Sequence, residues 1–180
     1  MGHLFYSSYS EIHLSILGEK EIPKLDLIRY YLQSNNISEI KPKAGRLYFE
    51  IDKTKVKIYE YSETQDIKNK DLVTNQCVII IFDMTKRKSF MDVLDKWIKY
   101  LREIKYNKKI ILFGTGNKDA LTMTDSQEVN YLIEITQIQG EFYDLRNMEK
   151  PQICKLIDRL IEKIFEQSKS NVNKKECNIF

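Results

Sequence analysis

The sequence predicts one α/β domain: a doubly wound, mostly parallel six-stranded sheet with one antiparallel edge strand and helices on both faces. Three observations carry this. Segments with a period of two alternate along the chain with segments of helical period. Residues 78–82 (Val78, Ile79, Ile80, Ile81, Phe82) and 110–113 (Ile110, Ile111, Leu112, Phe113) are apolar without interruption, as strands covered on both faces require. A pair of strand-like runs, 46–51 and 55–61, flanks Asp52-Lys53-Thr54 and reads as one hairpin.

In chain order, Ile12, Leu14 and Ile16 alternate with polar neighbours and mark a first strand that ends near Gly18. Leu25, Ile28 and Leu32 share one face of a helix over 24–32. The hairpin follows, then a short helix, then the buried strand 78–82. Ser89-Phe90-Met91-Asp92 has the form of a capping box, and Phe90, Val93, Leu94, Trp97, Ile98 and Leu101 continue at helical spacing. After the strand at 109–114, Asp125 caps a helix bearing Val129, Leu132, Ile133 and Thr136, which Gly140 stops. Residues 141–145 form a last short strand. Pro151 opens a final helix carrying Ile153, Leu156, Ile157, Leu160, Ile161, Ile164 and Phe165. Strands alternating with helices fix right-handed crossovers. The domain is set at 1–167. Residues 168–180, polar and weakly periodic, are set as a flexible C-terminal tail.

Composition narrows the function. The 180 residues are 42% hydrophobic and 31% charged, enough for one core. No apolar stretch approaches roughly 18 residues, so no membrane span is expected. The N-terminus lacks the pattern of a secretory signal. Cys77, Cys154 and Cys177 lie far apart, which fits neither a disulfide framework nor zinc spacing and suits a reducing compartment. Cys77 and Cys154 fall on a strand and a helix face, as inert core thiols do. His3 and His13 suggest no metal site. A net charge of +3 is too mild to imply nucleic acid. Glycine is scarce, 6 in 180, which bears on any loop that must wrap phosphates with bare backbone.

The run from Leu72 to Phe90, with Phe82-Asp83-Met84-Thr85 as a turn and Ser89-Phe90 opening a helix that bears Trp97, resembles the middle of Ras-superfamily small GTPases, nearest the Rab and Ras branches. The element order over 12–166 is similar as well, and no extra helix follows Lys118, unlike the Rho branch. The resemblance implies a P-loop NTPase-like sheet with its site at the carboxyl ends of the strands. An active member would hold GTP or GDP with magnesium there.

Against that pattern the motifs are degenerate. The phosphate loop G-x-x-x-x-G-K-[ST] is matched by Gly18-Glu19-Lys20-Glu21-Ile22-Pro23-Lys24-Leu25. Gly18 and Lys24 fit. Pro23 removes an N–H, Leu25 lacks the hydroxyl that holds magnesium, and Glu19 and Glu21 add negative charge. The D-x-x-G-Q motif is sought at Ser62-Glu63-Thr64-Gln65-Asp66, where Asp and Gly are missing and Gln65 serves only if one residue is deleted. No Thr lies between Tyr31 and Asp52 to meet a metal, Ser34 and Ser38 being weak substitutes. N-K-x-D becomes Asn117-Lys118-Asp119-Ala120, with the Asp one place early, and S-A-K becomes Arg146-Asn147-Met148. Asn117-Lys118 also has turn composition, and Asp83 reads as a turn former. Four or five missing contacts at about 1.5–3 kcal/mol each forfeit at most on the order of 6–12 kcal/mol of nucleotide affinity, an upper bound because neighbours are not additive.

The chain ends Cys177-Asn178-Ile179-Phe180, a loose prenylation motif with a terminal Phe that favours geranylgeranyl, preceded by Lys169, Lys174 and Lys175. Tyr6 stands where myristoylation needs Ser or Thr. The leading expectation is a pseudo-GTPase prenylated at Cys177 by a prenyltransferase. It would sit peripherally on the cytosolic face of a membrane and bind effector or regulatory proteins through loops 33–46 and 62–73. Gly18, Lys24, Asn117 and Lys118 are then vestigial, and neither a cofactor nor a metal is expected. The alternative is a divergent but active GTP-binding switch that uses Lys24, Gln65 and Asn117 with magnesium. An unrelated flavodoxin-like module is a third reading.

Overall fold

The computed structural model describes residues 11–40, 45–51, 53–68, 72 and 74–176, with 167–176 as backbone alone. Six strands form one sheet: β1 (Glu11–Leu17), β2 (Arg46–Ile51), β3 (Thr54–Tyr61), β4 (Cys77–Asp83), β5 (Lys109–Thr115) and β6 (Gly140–Asp144). Their order is β2-β3-β1-β4-β5-β6. Only the β2–β3 pair is antiparallel, with Ile51 opposite Thr54 across the hairpin; β1 pairs in parallel with both β3 and β4, and β5 with both β4 and β6. The expected sheet class and edge hairpin are therefore present. Lys53 turns the hairpin with φ +65°, a left-handed conformation that a short tight turn requires. Asp52 lies outside the described residues.

β4 explains why its sequence does not alternate. Cys77, Ile79 and Ile81 point into the core under α1 (Lys24–Ser34) and α4 (Lys150–Glu176). Val78, Ile80 and Phe82 point the other way, into a core with Trp97, Ile98, Leu101, Val129 and Leu132. Helices cover both faces, so both strand registers must be apolar. The second core is closed by α2, which opens at Arg87–Asp92, widens to a π turn over Val93–Ile98 and ends at Lys99–Glu103, and by α3 (Ser126–Thr136). On the first face the Tyr31 hydroxyl donates to Asp158 Oδ1 at 2.6 Å, joining α1 to α4. Burial and that carboxylate push the Tyr31 hydroxyl above its usual range.

Local signals were read correctly where the interaction itself is local. Asp125 caps α3 by accepting from the Glu128 N–H at 2.8 Å. Asp83 makes its turn by accepting from the Thr85 N–H at 2.9 Å and the Thr85 hydroxyl at 2.6 Å. Cys77 is buried, and burial pushes its thiol up to about 12. Three readings need correction. Ser89 is not a cap: α2 begins at Arg87, and the buried Ser89 hydroxyl instead accepts from the Asp83 N–H at 2.9 Å, which secures the end of β4. Gly140 does not stop α3; Gln137, at φ +52°, ends it, and Gly140 begins β6. The last helix does not end at 167 but continues to Glu176, because nothing after Pro151 up to that point is Gly or Pro. Between β3 and β4 the described residues hold a 3-10 turn, Thr64–Asp66. Among the described residues no helix is long and apolar enough to cross a membrane.

Candidate functional site

The carboxyl ends of β1, β3, β4, β5 and β6 share one edge, as parallel pairing demands. Every motif residue within the described part sits along it. Gly18 directly follows β1, which lies between β3 and β4. Its N–H donates to Tyr61 O at 3.3 Å, and a β-carbon there would stand 2.4 Å from Ile81 O, so only glycine fits.

The loop from 18 to 23 closes upon itself. The Ile22 N–H donates to Glu19 O at 3.2 Å, that of Lys24 to Ile22 O at 2.8 Å and that of Asp26 to Pro23 O at 3.1 Å. Pro23 has no N–H to offer. Those amides are therefore spent on the loop's own carbonyls. Leu25 packs in the core below α1 and does not roof the loop.

Lys24 does. Its side chain lies over Gly18, with Cδ 3.3 Å from where a β-carbon of Gly18 would be, and the residue is 1% exposed. The ammonium donates to Glu19 O at 2.6 Å, to Ser62 Oγ at 3.0 Å and to Ile22 O at 3.4 Å. Glu60 Oε1, at the end of β3, is 3.3 Å away. Burial pulls the Lys24 ammonium below the usual lysine range, and Glu60 pushes back. The lysine fills this space because a buried cation must be ringed by acceptors, and the loop and the end of β3 supply them.

Glu60 is the residue that sequence reasoning missed. The expected acid of D-x-x-G-Q was sought at Ser62, yet a carboxylate reaches Lys24 from two positions earlier. Read from Glu60, the motif becomes Glu60-Tyr61-Ser62-Glu63-Thr64, with Glu63 in place of the glycine. An acidic residue at the end of the hairpin strand was the available signal. Gln65 is exposed in the 3-10 turn and does not line the cleft beside the loop. Ser34 and Ser38 are exposed, Ser34 as the last residue of α1.

That cleft holds about 440 Å³ between the loop and α2. Carboxylates of Glu19, Glu21, Glu63 and Asp92 line it together with Lys20, Lys86, Lys88 and Lys96. Burial and the neighbouring Asp92 and Glu21 raise the Glu19 carboxyl above its usual range. Four carboxylates and four lysine side chains thus share the cleft, and their formal charges balance.

At the far end, Asn117 and Lys118 are exposed after β5. The Asn117 carbonyl oxygen Oδ1 accepts from the Asp119 N–H at 3.0 Å, so the side chain shapes its own turn. Arg146 crosses the neighbouring space: Nε and Nη2 donate to the Asp144 carboxylate at 3.0 and 2.8 Å, and Nη1 to Thr122 Oγ1 at 2.8 Å. Burial opposes ionisation of Asp144, but the Arg146 hydrogen bonds outweigh it and hold the carboxyl below its usual range. Cys177 lies outside the described residues, as do the side chains of Lys169, Lys174 and Lys175 and residues 41–44, 69–71 and 73 of the two partner loops.

The donor set does not match a magnesium nucleotide. The side chain at position 25 carries no oxygen, position 23 has no N–H, and the lysine is already ringed by acceptors. Among the described residues no group of three or more His, Cys, Asp or Glu is placed to hold a metal ion. Since Lys24 now serves the protein itself, Lys24→Met leaves its carbonyl, hydroxyl and carboxylate partners unmet. It is expected to cost about 1–3 kcal/mol, read as a lower urea midpoint at unchanged slope. An unchanged midpoint contradicts this account of the loop.

Comparison with known proteins agrees with the geometry of the sheet. The Ras family model matches residues 14–166. The chain is similar to Ras-related protein RabV of Dictyostelium discoideum, 28% identical over 140 residues that cover 73% of this chain and 57% of RabV. It is also similar to the probable mitochondrial Rho GTPase gemA of the same organism, 22% identical over 138 residues that cover 71% of this chain and 20% of gemA. The chain thus spans about half of one relative and a fifth of the other. A family match over residues 14–166, on this strand order, makes the chain a member of the Ras family of small GTPases.

Proposed function

We propose that this Ras family member is a pseudo-GTPase: a membrane-anchored, Rab- or Ras-like protein that acts in vesicle traffic or signalling by binding effectors, with nucleotide binding and hydrolysis lost or weak. One observation carries this reading: the Lys24 ammonium, which an active relative would present to phosphate, is enclosed by Glu19 O, Ile22 O, Ser62 and Glu60. A nucleotide would have to break those contacts before making its own. Without a magnesium hydroxyl ligand and a glycine at position 63, phosphoryl transfer lacks its metal clamp and its γ-phosphate sensor. Gly18, Asn117 and Lys118 then survive as turn formers.

Loops 33–46 and 62–73 and the edge strand β2 form the partner surface in this reading. It gains support from an aromatic group beside that edge, where Tyr48 meets Tyr59 edge to face at 6.5 Å and the Arg46 guanidinium lies 5.5 Å from the Tyr59 ring centre. Tyr and Arg are common interface anchors. Cys177 supplies a prenyl anchor on the cytosolic face of a membrane, with Lys169, Lys174 and Lys175 each adding about 1 kcal/mol near an anionic leaflet. The retained pairing of Lys24 with Glu60, a lysine beside an acid at the end of a hairpin strand, favours a second reading as an active, divergent switch.

Calorimetric titration of the full chain with GTP and GDP, with and without magnesium, separates the two. The pseudo-GTPase reading expects no binding tighter than about 100 μM under either condition. Micromolar, magnesium-dependent binding establishes the switch instead. For the anchor, Cys177→Ser is expected to abolish prenyl incorporation and move the protein from the membrane fraction to the soluble one; an unchanged distribution removes the lipid from the account.

A further inference from the structure

Two lysines from different helices meet at one serine. Lys24 Nζ, from α1, donates to Ser62 Oγ at 3.0 Å. Lys96 Nζ, from the middle of α2, donates to Ser62 O at 2.9 Å and pairs with Glu63 Oε2 at 2.8 Å. With Lys24 paired to Glu60, the charges run Glu60, Lys24, Lys96, Glu63 around Ser62. Each cation has its own carboxylate, so the two ammonium groups can approach. Lys96 stands within the π turn of α2, and its Nζ lies 4.7 Å from the ring centre of the buried Trp97. Departures of this kind from α-helical register recur at functional positions.

In a nucleotide-driven relative the stretch after β3 is ordered by phosphate and metal. We infer that Lys96, together with Lys24, clamps residues 60–63 in one conformation, so that the loop leaving β3 is set by the protein's own cations and needs no ligand. The inference rests on the cradle being filled by Lys24 and extends it, because it names what replaces ligand control. Charge-assisted hydrogen bonds are roughly twice as strong as neutral ones, and the clamp directs two of them at Ser62 from opposite helices. Lys96 lines the cleft together with Glu19, Glu21 and Asp92 and with Lys20, Lys86 and Lys88.

Hydrogen–deuterium exchange on the full chain tests it. Wild-type peptides covering 60–68 are expected to exchange at the same rate with and without millimolar GTP or GDP and magnesium. Lys96→Met keeps a side chain of similar length over Trp97 and deletes the cation. It is expected to speed exchange over 60–68 about tenfold or more, with β5 peptides unchanged. Glu63→Gln, at an exposed position, keeps the carbonyl contact and is expected to give a smaller rise of about threefold. Wild-type exchange in both variants overturns the clamp and leaves the filled cradle standing. Nucleotide that slows exchange over 18–25 overturns the filled cradle and, with it, the part of the clamp that Lys24 supplies; nucleotide that slows 60–68 overturns the clamp. If Lys96→Met does not fold, Glu63→Gln decides by the same criterion.

Discussion

A fully buried ammonium must be surrounded by acceptors, and the local structure of the site follows from where Lys24 finds them. Two come from the loop it closes, Glu19 O and Ile22 O; one comes from Ser62; the counter-charge comes from Glu60. Those partners fix the loop from 18 to 23, tie it to the end of β3 and orient the start of α1. The same lysine that would face phosphate in a nucleotide-binding relative here serves as an internal cross-brace. Pro23 reinforces this by withdrawing an N–H from the loop and holding φ at −75° at the head of the helix.

None of this strains the fold, because scaffold and site draw on separate residues. The sheet is held by apolar side chains on both faces of β4 and β5, and its strand order does not depend on what lies along the carboxyl edge. Chemistry can therefore be lost residue by residue while the architecture persists. The far end of the edge follows the same logic. Arg146 turns inward to Asp144 and Thr122, and Asn117 turns back to its own backbone, so groups in the family's base-reading positions are engaged in local structure.

Legibility in the sequence tracked the range of each interaction. The strands, the hairpin and the Asp125 cap depend on neighbours within a few residues and could be read directly. Ser89 looked like a helix cap because its local pattern allows one; its partner, the Asp83 amide, comes from the preceding strand end. Gly140 looked like a stop, but Gln137 accepted the left-handed conformation first. Glu60 is not legible from the motif spacing, because only its pairing with Lys24 in the folded chain sets the register. Lys96 carried no signal at all, since its role depends on a π turn that brings α2 against the end of β3. Pro23 and Leu25, by contrast, are departures from the phosphate-loop pattern that stand in the sequence itself.

The Ras family match and the sheet order show a small GTPase fold, and in it the Lys24 ammonium is engaged by the protein's own acceptors. The most direct measurement is of the nucleotide that the protein retains. The full chain would be purified natively in magnesium, denatured, and the released bases quantified by ion-exchange chromatography. The account predicts guanine nucleotide far below one per chain; close to one GDP or GTP per chain would contradict it.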